Sequence, residues 1–261
     1  MWKYFLLFIF AGLLLASFAD AVEPFGATVS SGTPSRSTPD APQSAAAWAG
    51  NVTQLNINGY SATQTWQGYF GNVTGTITLR DSGNFTLYNW TLASPRGEIF
   101  ASTNSSITWG NVQCLNFTSA GNASGNTLLN EQPGNYSVNG TNLTTLETRF
   151  NISSLDVDGV NETFNLLGAG THDKFFVNNI QFSEGKCQST RVFDASGPVS
   201  NKFEEVLLYE PLSSSVIFAA ILEQDASGFN TGTEDFEMLV LENGHGSDTQ
   251  ATTYYFYVEL E

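Results

Sequence analysis

The chain has 261 residues, 25 of them acidic and nine basic, giving a net charge of −16. An acidic surface without Lys or Arg clusters repels phosphates, which excludes nucleic acid as a partner. Charged residues make up only 13% of the sequence, so the polar surface falls to Asn, Ser and Thr rather than to Lys and Glu.

The first predicted element is MWKYFLLFIFAGLLLASFADAV. One Lys precedes an apolar run from Tyr4 to Ala19, and Ala19-Asp20-Ala21 has the small-x-small form of a signal-peptidase site. The run is shorter than the roughly 20 residues that span a bilayer. Residues 1–21 are therefore read as a signal peptide cleaved after Ala21, with a retained anchor as the alternative. The mature chain is expected to have no stable transmembrane anchor and to be secreted, or held at the cell surface by other proteins.

Residues 22–50 form a linker rich in Ser, Thr, Pro and Ala, a composition that buries too little apolar surface to order itself. This segment could hold the protein off the envelope or donate a strand to a neighbour's sheet edge, although VEPFGATV, at its start, shows little of the alternation that donation needs. From Asn51 the pattern turns to strands. Val73, Ile77 and Leu79 alternate with threonines, predicting a strand with one buried face, and Asp81-Ser82-Gly83-Asn84 turns it into FTLYNWTL as a hairpin. In TWQGYFGNVTG, Trp66, Gly68 and Phe70 share one strand face. Gly71 allows a bend that would expose Asn72.

Farther on, FEEVLLYE (203–210) and SVIFAAILEQD (215–225) predict a second hairpin around Pro-Leu-Ser-Ser. The unbroken apolar run Val216–Leu222 marks a strand covered on both faces, with a short buried helix as the competing reading. FEMLVLE (236–242) follows. Tyr254, Phe256, Val258 and Leu260 then alternate with Tyr255, Tyr257, Glu259 and Glu261 in a last strand. Helical periodicity is weak throughout. The expected fold is all-β, an antiparallel β-sandwich or a related β-rich architecture over residues 51–261.

Cys114 and Cys187 are the two cysteines of an exported chain, and an oxidising compartment favours a disulfide between them over two buried thiols. It would close a loop of about 70 residues, worth about 4 kcal/mol in the chain-entropy model.

Sequons N-x-S/T stand at Asn51, Asn72, Asn84, Asn89, Asn104, Asn116, Asn122, Asn135, Asn139, Asn142, Asn151 and Asn161. Behind a secretion signal this density predicts extensive N-glycosylation, against the bland alternative of drift toward Asn and Thr. Each glycan needs a solvent-facing Asn. Asn89 is awkward, because strand alternation puts it on a face with Phe85 and Leu87 unless the strand bulges. No sequon follows Asn161, whereas Phe203–Glu261 holds twelve acidic residues and no Lys or Arg. The 51–165 part is thus read as glycosylated. The bare acidic 166–261 part is read as a contact for a neighbouring protein or divalent cations, or else as a solvated acidic rim.

Catalytic chemistry finds little support. His172 and His245 sit beside Gly and Asp in apparent surface turns, and there is no G-x-S-x-G nucleophile elbow. Asp156-Val-Asp158 is only a fragment of a calcium loop. Glu204 and Glu205, adjacent in a strand, point to opposite faces and cannot form a glycosidase pair. Gly168-Ala-Gly170 lacks the Lys or helix that phosphate binding needs. Trp66, Tyr69, Phe70, Trp90 and Trp109 have the chemistry to stack on sugars, but such aromatics more commonly build β cores.

TQTWQGYFGNVTGTITL, GEIFAS, DVDGVNETFNLLGAGTH, FEEVLLYEP and DFEMLVLENGHG…YYFYVEL together resemble a family of secreted archaeal cell-surface proteins with no characterised activity. The resemblance implies an exported archaeal protein and an extracellular life, and it supplies no site residues.

The expectation is a non-enzymatic, N-glycosylated cell-surface protein without cofactor or catalytic residues. It would contact copies of itself or other surface proteins, as in a subunit of an extracellular filament or coat. The alternatives are a secreted carbohydrate-binding module and, less favoured, a secreted hydrolase.

Overall fold

The structure, a computed structural model, describes residues 23–38, 40–92, 95–115, 143–153, 155–194, 197–198, 202–242 and 251–261. In chain order the strands are β1 (Phe25–Gly26), β2 (Trp66–Gly71), β3 (Thr76–Arg80), β4 (Thr86–Thr91), β5 (Gly97–Ser102), β6 (Gln113–Cys114), β7 (Phe175–Val177), β8 (Ile180–Phe182) and β9 (Ser189–Arg191). After them come β10 (Phe193–Asp194), β11 (Gly197–Pro198), β12 (Glu204–Glu210), β13 (Ser215–Ile221), β14 (Ala226–Ser227), β15 (Thr233–Glu234), β16 (Phe236–Leu241) and β17 (Tyr255–Leu260). Two short helices, Leu143–Arg149 and Val160–Thr163, lie between β6 and β7. The fold is all-β and antiparallel, as the alternation predicts.

Seven strands make the main sheet, in the order β1-β17-β5-β13-β12-β6, with β9 also paired to β12. At its centre the predicted hairpin forms: β12 and β13 pair from Glu205↔Ala220 to Glu210↔Ser215. The run Val216–Leu222 is thus a strand, and its lack of polar residues follows from cover on both faces. Alternation divides its side chains. Leu207, Tyr209, Val216, Phe218 and Ala220 enter one core; Val206, Leu208, Ile217 and Ala219 enter the other. The connecting turn is held by Glu210, whose carboxylate accepts the N–H groups of Leu212 and Ser213.

The second core is closed by the β7–β8 hairpin, through Phe175, Val177, Ile180 and Phe182, together with Trp109 and the disulfide. Cys114 and Cys187 are bonded, and the bridge has a structural logic. β9 and β6 share one edge of β12 end to end, Ser189 opposite Val206 and Cys114 opposite Leu208. Each is too short to hold the edge alone, and the disulfide ties one to the approach of the other.

The first core is covered by the antiparallel pair β16–β2 and by the two helices, through Leu146, Phe150, Val160 and Phe164. At the far edge, Phe25 and Gly26 pair with Val258 and Tyr257, so the start of VEPFGATV adds to the chain's own sheet. Among the described residues no helix is long and apolar enough to cross a membrane.

Candidate interaction surface

The β16–β2 layer is pinned at one edge and open at the other. On the β16 side, Glu205 of β12 projects into the core and its Oε2 accepts the Leu239 N–H at 2.8 Å. This carboxyl is fully buried, and desolvation raises its pKa well above the ordinary range, partly offset by the bond it accepts from the Leu239 amide. On the other side, among the described residues, β2 has no strand neighbour and pairs with β16 alone. In an antiparallel pair alternate backbone groups face away from the partner, so β2 presents outward-facing N–H and C=O groups, one of which, the Gly68 carbonyl, is covered by the Gln67 side-chain amide at 2.7 Å. Beyond that edge runs a groove of about 2900 Å³, floored by Tyr69, Val73, Phe236, Phe256, Val258 and Leu260 and bordered by the chain's own residues 25–37. All six floor residues are only partly buried.

Two contacts fix the start of β2. The Trp66 indole N–H donates to the Asp158 carbonyl at 2.7 Å, and Thr63 Oγ1 donates to the Asp158 carboxylate. The Asp156–Asp158 stretch is thus an anchoring turn, with Asp156 accepting the Ser153 N–H. At the other end, Asp235 accepts N–H groups from Val73 and Asp225. Trp66 and Phe70 share a strand phase but not an environment. Trp66 reaches Phe164 and Phe218, whereas Phe70 is exposed against Phe229, and the inward residue between them is Tyr69, edge-on to Phe256. Gly71 has φ of 154°, and Asn72 just beyond it is exposed.

The β3–β4 hairpin departs from expectation. The turn forms, with Asp81 Oδ1 accepting the Gly83 and Phe85 N–H groups and Asn84 at φ 63°. Of the three alternating residues, however, only Val73 packs on the core; Ile77 and Leu79 are exposed. Both strands form a two-stranded ribbon with Phe85, Leu87, Tyr88 and Trp90 also exposed. Period-two alternation reports that a strand has two different faces, not what covers the apolar one. Leu79 pairs with Tyr88 and Arg80 with Thr86, which leaves Leu87 as an extra residue, so the strand does bulge two residues before Asn89.

The acidic C-terminal part is not a solvated rim. Glu204, Glu205, Glu210, Glu234, Asp235, Glu237 and Glu259 are all buried. Most serve as clips on backbone amides: Glu204 on Asp173, Glu237 on Phe229, Glu259 on Asn178, and, from outside this part, Glu98 on Phe176 and Glu147 on Val160. Glu98 and Glu259 stand directly opposite across β5 and β17, under the β7–β8 hairpin. Burial, then the charges of Glu261 and Glu259, raises Glu98 to about 9. Burial likewise raises Glu204 and Glu259 to about 7. Among the described residues no group of three or more His, Cys, Asp or Glu is placed to hold a metal ion. Among the described residues of this part the expected divalent-cation contact finds no site, most of the acids there being engaged one by one inside the fold.

His172 is likewise not a surface residue. It is fully buried, Nε2 accepting the Cys187 N–H at 3.0 Å and Nδ1 lying 2.7 Å from the Asp173 carbonyl. With Nε2 an acceptor, Nδ1 carries the proton, and burial lowers the pKa of the ring. It positions the disulfide segment and has no free nitrogen for catalysis. Glu204 and Glu205 point to opposite faces of β12, as their adjacency requires. Trp109 lies in the core against Phe100 and Tyr257, leaving Trp90 and Phe70 as the exposed members of the aromatic set.

Among the sequons, Asn51, Asn72, Asn84, Asn89, Asn151 and Asn161 are exposed. Asn104 is half-buried, its Nδ2 donating to Ser215 Oγ and its Oδ1 accepting the Ser106 N–H. Asn116, Asn122, Asn135, Asn139, Asn142 and His245 lie outside the described residues.

The sequence reading missed the open β2 edge, which only pairing topology reveals, and the absence of cover on the hairpin. A signal for the surface did exist. From Ala41 to Leu79 the sequence contains no charged residue. Compared with known families, functionally described proteins and solved structures, the chain matches none.

Proposed function

We propose that this is an exported, N-glycosylated archaeal cell-surface protein with a structural role, a non-enzymatic subunit that assembles with copies of itself in an extracellular filament or coat. The observation that carries the reading is the unpartnered surface: an open strand edge beside an apolar groove, and a projecting hairpin that exposes Ile77, Leu79, Phe85, Leu87, Tyr88 and Trp90. Exposed apolar area on this scale marks an interaction site, and an isolated two-stranded ribbon is marginal in water unless something packs on it. The signal sequence, the exposed sequon asparagines and the resemblance to secreted archaeal proteins support the extracellular setting. Electron microscopy of native cell surfaces tests the reading: ordered filaments or coats that a specific antibody decorates are expected, and a diffuse soluble protein would contradict it.

One observation favours a second reading, a carbohydrate-binding module. Tyr88 and Trp90 lie on the same face of β4, exposed, with ring centroids 4.8 Å apart. A glycan array separates the two, with Trp90→Ala abolishing any binding that depends on this pair.

A further inference from the structure

The fold contains a strand without a sheet as well as a sheet edge without a strand. Residues 51–62 are exposed over their whole length and belong to no helix or strand, and among the described residues none of residues 52–60 makes a backbone–backbone hydrogen bond; Tyr60 alone is tied down, its hydroxyl donating to the Thr38 carbonyl at 2.9 Å. Their sequence is nevertheless strand-like. Leu55 and Ile57 alternate with Gln54, Asn56 and Asn58, and Ile57 is 90% exposed and Val52 100% exposed. An apolar alternation of this kind belongs on a half-buried pleated surface.

We infer that residues Val52–Tyr60 of one copy lie along the free edge of β2 of a second copy, over the groove floored by Tyr69, Phe256 and Val258, adding a third strand to the β16–β2 layer. This rests on the assembly reading above and names its contact. The lengths agree. Nine extended residues span about 30 Å and the six of β2 about 20 Å, so the donor covers the edge and runs onto the loop after Gly71. The edge supplies outward-facing backbone groups, with the exposed Gln67 side chain giving up the Gly68 carbonyl to the incoming strand; the donor has no backbone–backbone bonds to break, and Leu55 and Ile57 face the apolar floor. This is strand addition at an open sheet edge.

Charge selects a second copy as the occupant. Two chains of net charge −16 repel, and like charges brought together at an interface cost affinity. The donor and β2 both lie within the uncharged stretch from Ala41 to Leu79, where the protein meets itself without opposing carboxylates. Folding back onto the chain's own β2 is opposed by the connection. That connection is short and already committed: residues 64 and 65 form a bend, Thr65 is buried with its carbonyl taking the Glu242 N–H, and Thr63 is held by Asp158, which leaves no free residues for a hairpin turn.

The test uses the full mature chain and two kinds of variant, followed by sedimentation across a wide concentration range. Leu55→Asp/Ile57→Asp alters two exposed side chains, so the thermal unfolding of the monomer should be unchanged, while association weakens at least about 100-fold. Single-cysteine variants Ile57→Cys and Gly68→Cys, mixed under oxidising conditions, should give a cross-linked pair; a Cβ at Gly68 meets only Leu239 Cδ2, at 4.0 Å. Wild-type assembly that the double aspartate leaves intact, with no cross-link in the mixture, overturns the donor strand while leaving self-assembly standing. A cross-link formed only when both cysteines are in one chain overturns it in favour of intramolecular closure. A wild-type chain that stays monomeric at every concentration overturns the assembly reading itself.

Discussion

Replacing Glu98 by Gln should make the protein more stable at neutral pH and remove part of its pH dependence. Glu98 is 3% exposed; its Oε1 accepts the Phe176 N–H, its Oε2 has no partner, and Glu259 stands opposite. These surroundings raise it from an ordinary 4.5 to about 9. At pH 7 the group is protonated when folded and ionised when unfolded, so folding must take up a proton. Because the folded value is raised, its contribution is complete below pH 4.5 and is lost as pH rises toward 9. Between pH 4.5 and 7 the loss is on the order of 3 kcal/mol, at 1.36 kcal/mol per pH unit. Glu204, Glu205 and Glu259 shift in the same direction. Lowering the pH also relieves the repulsion of a strongly negative chain. Among the described residues His172, whose pKa burial lowers, opposes the trend, and it does so below its usual 6.5. Gln keeps the acceptor for Phe176 and cannot ionise. Urea unfolding at a series of pH values, with the disulfide intact, should show wild-type stability falling from pH 4.5 to 8. E98Q should match wild type near pH 4.5 and exceed it by on the order of 3 kcal/mol at pH 7. Parallel profiles for the two proteins would refute the buried neutral acid.

Replacing both Cys114 and Cys187 by Ser should cost about 4 kcal/mol in denaturant unfolding, the loop-entropy value for a separation of 73 residues. Asp235→Ala strands the Val73 and Asp225 N–H groups and should cost about 2–4 kcal/mol, with faster amide exchange at Val73 as the local sign. Gly97→Ala should destabilise strongly in thermal unfolding, because at φ 120° its new Cβ would run into the Glu259 carbonyl. In glycopeptide mass spectrometry of native protein, occupancy is expected at exposed Asn51, Asn72, Asn84, Asn89, Asn151 and Asn161. Asn104, whose amide is bound to Ser215, should be bare.

The central hairpin and the last strand were legible because their chemistry is periodic and their cover complete. An unbroken Val216–Leu222 can only be buried on both sides, and Phe256, Val258 and Leu260 do share a core-facing side. Glu204 and Glu205 were correctly separated by pleat alone. What failed was long-range. The threonine-spaced Ile77 and Leu79 read as a buried face, since alternation is the same whether the apolar side meets a core or water. The acids of Phe203–Glu261 read as surface because charge usually is; nothing local says that Glu205 will meet the Leu239 amide 34 residues later. His172 misled in the same way, its partner being Cys187 in another loop. The helix Leu143–Arg149 went unread, since seven residues are too few for a clear period. Open edges are a property of topology, and the free side of β2 follows from its pairing with β16 alone among the described residues.

The claim that this protein meets copies of itself is tested most directly by sedimentation of the protein purified from its native source over a hundredfold range of concentration. The account predicts a rising series of multimers whose formation exceeds what a single dimer can explain. A single monomeric species throughout, with the apolar hairpin exposed and no association at any concentration, would contradict it.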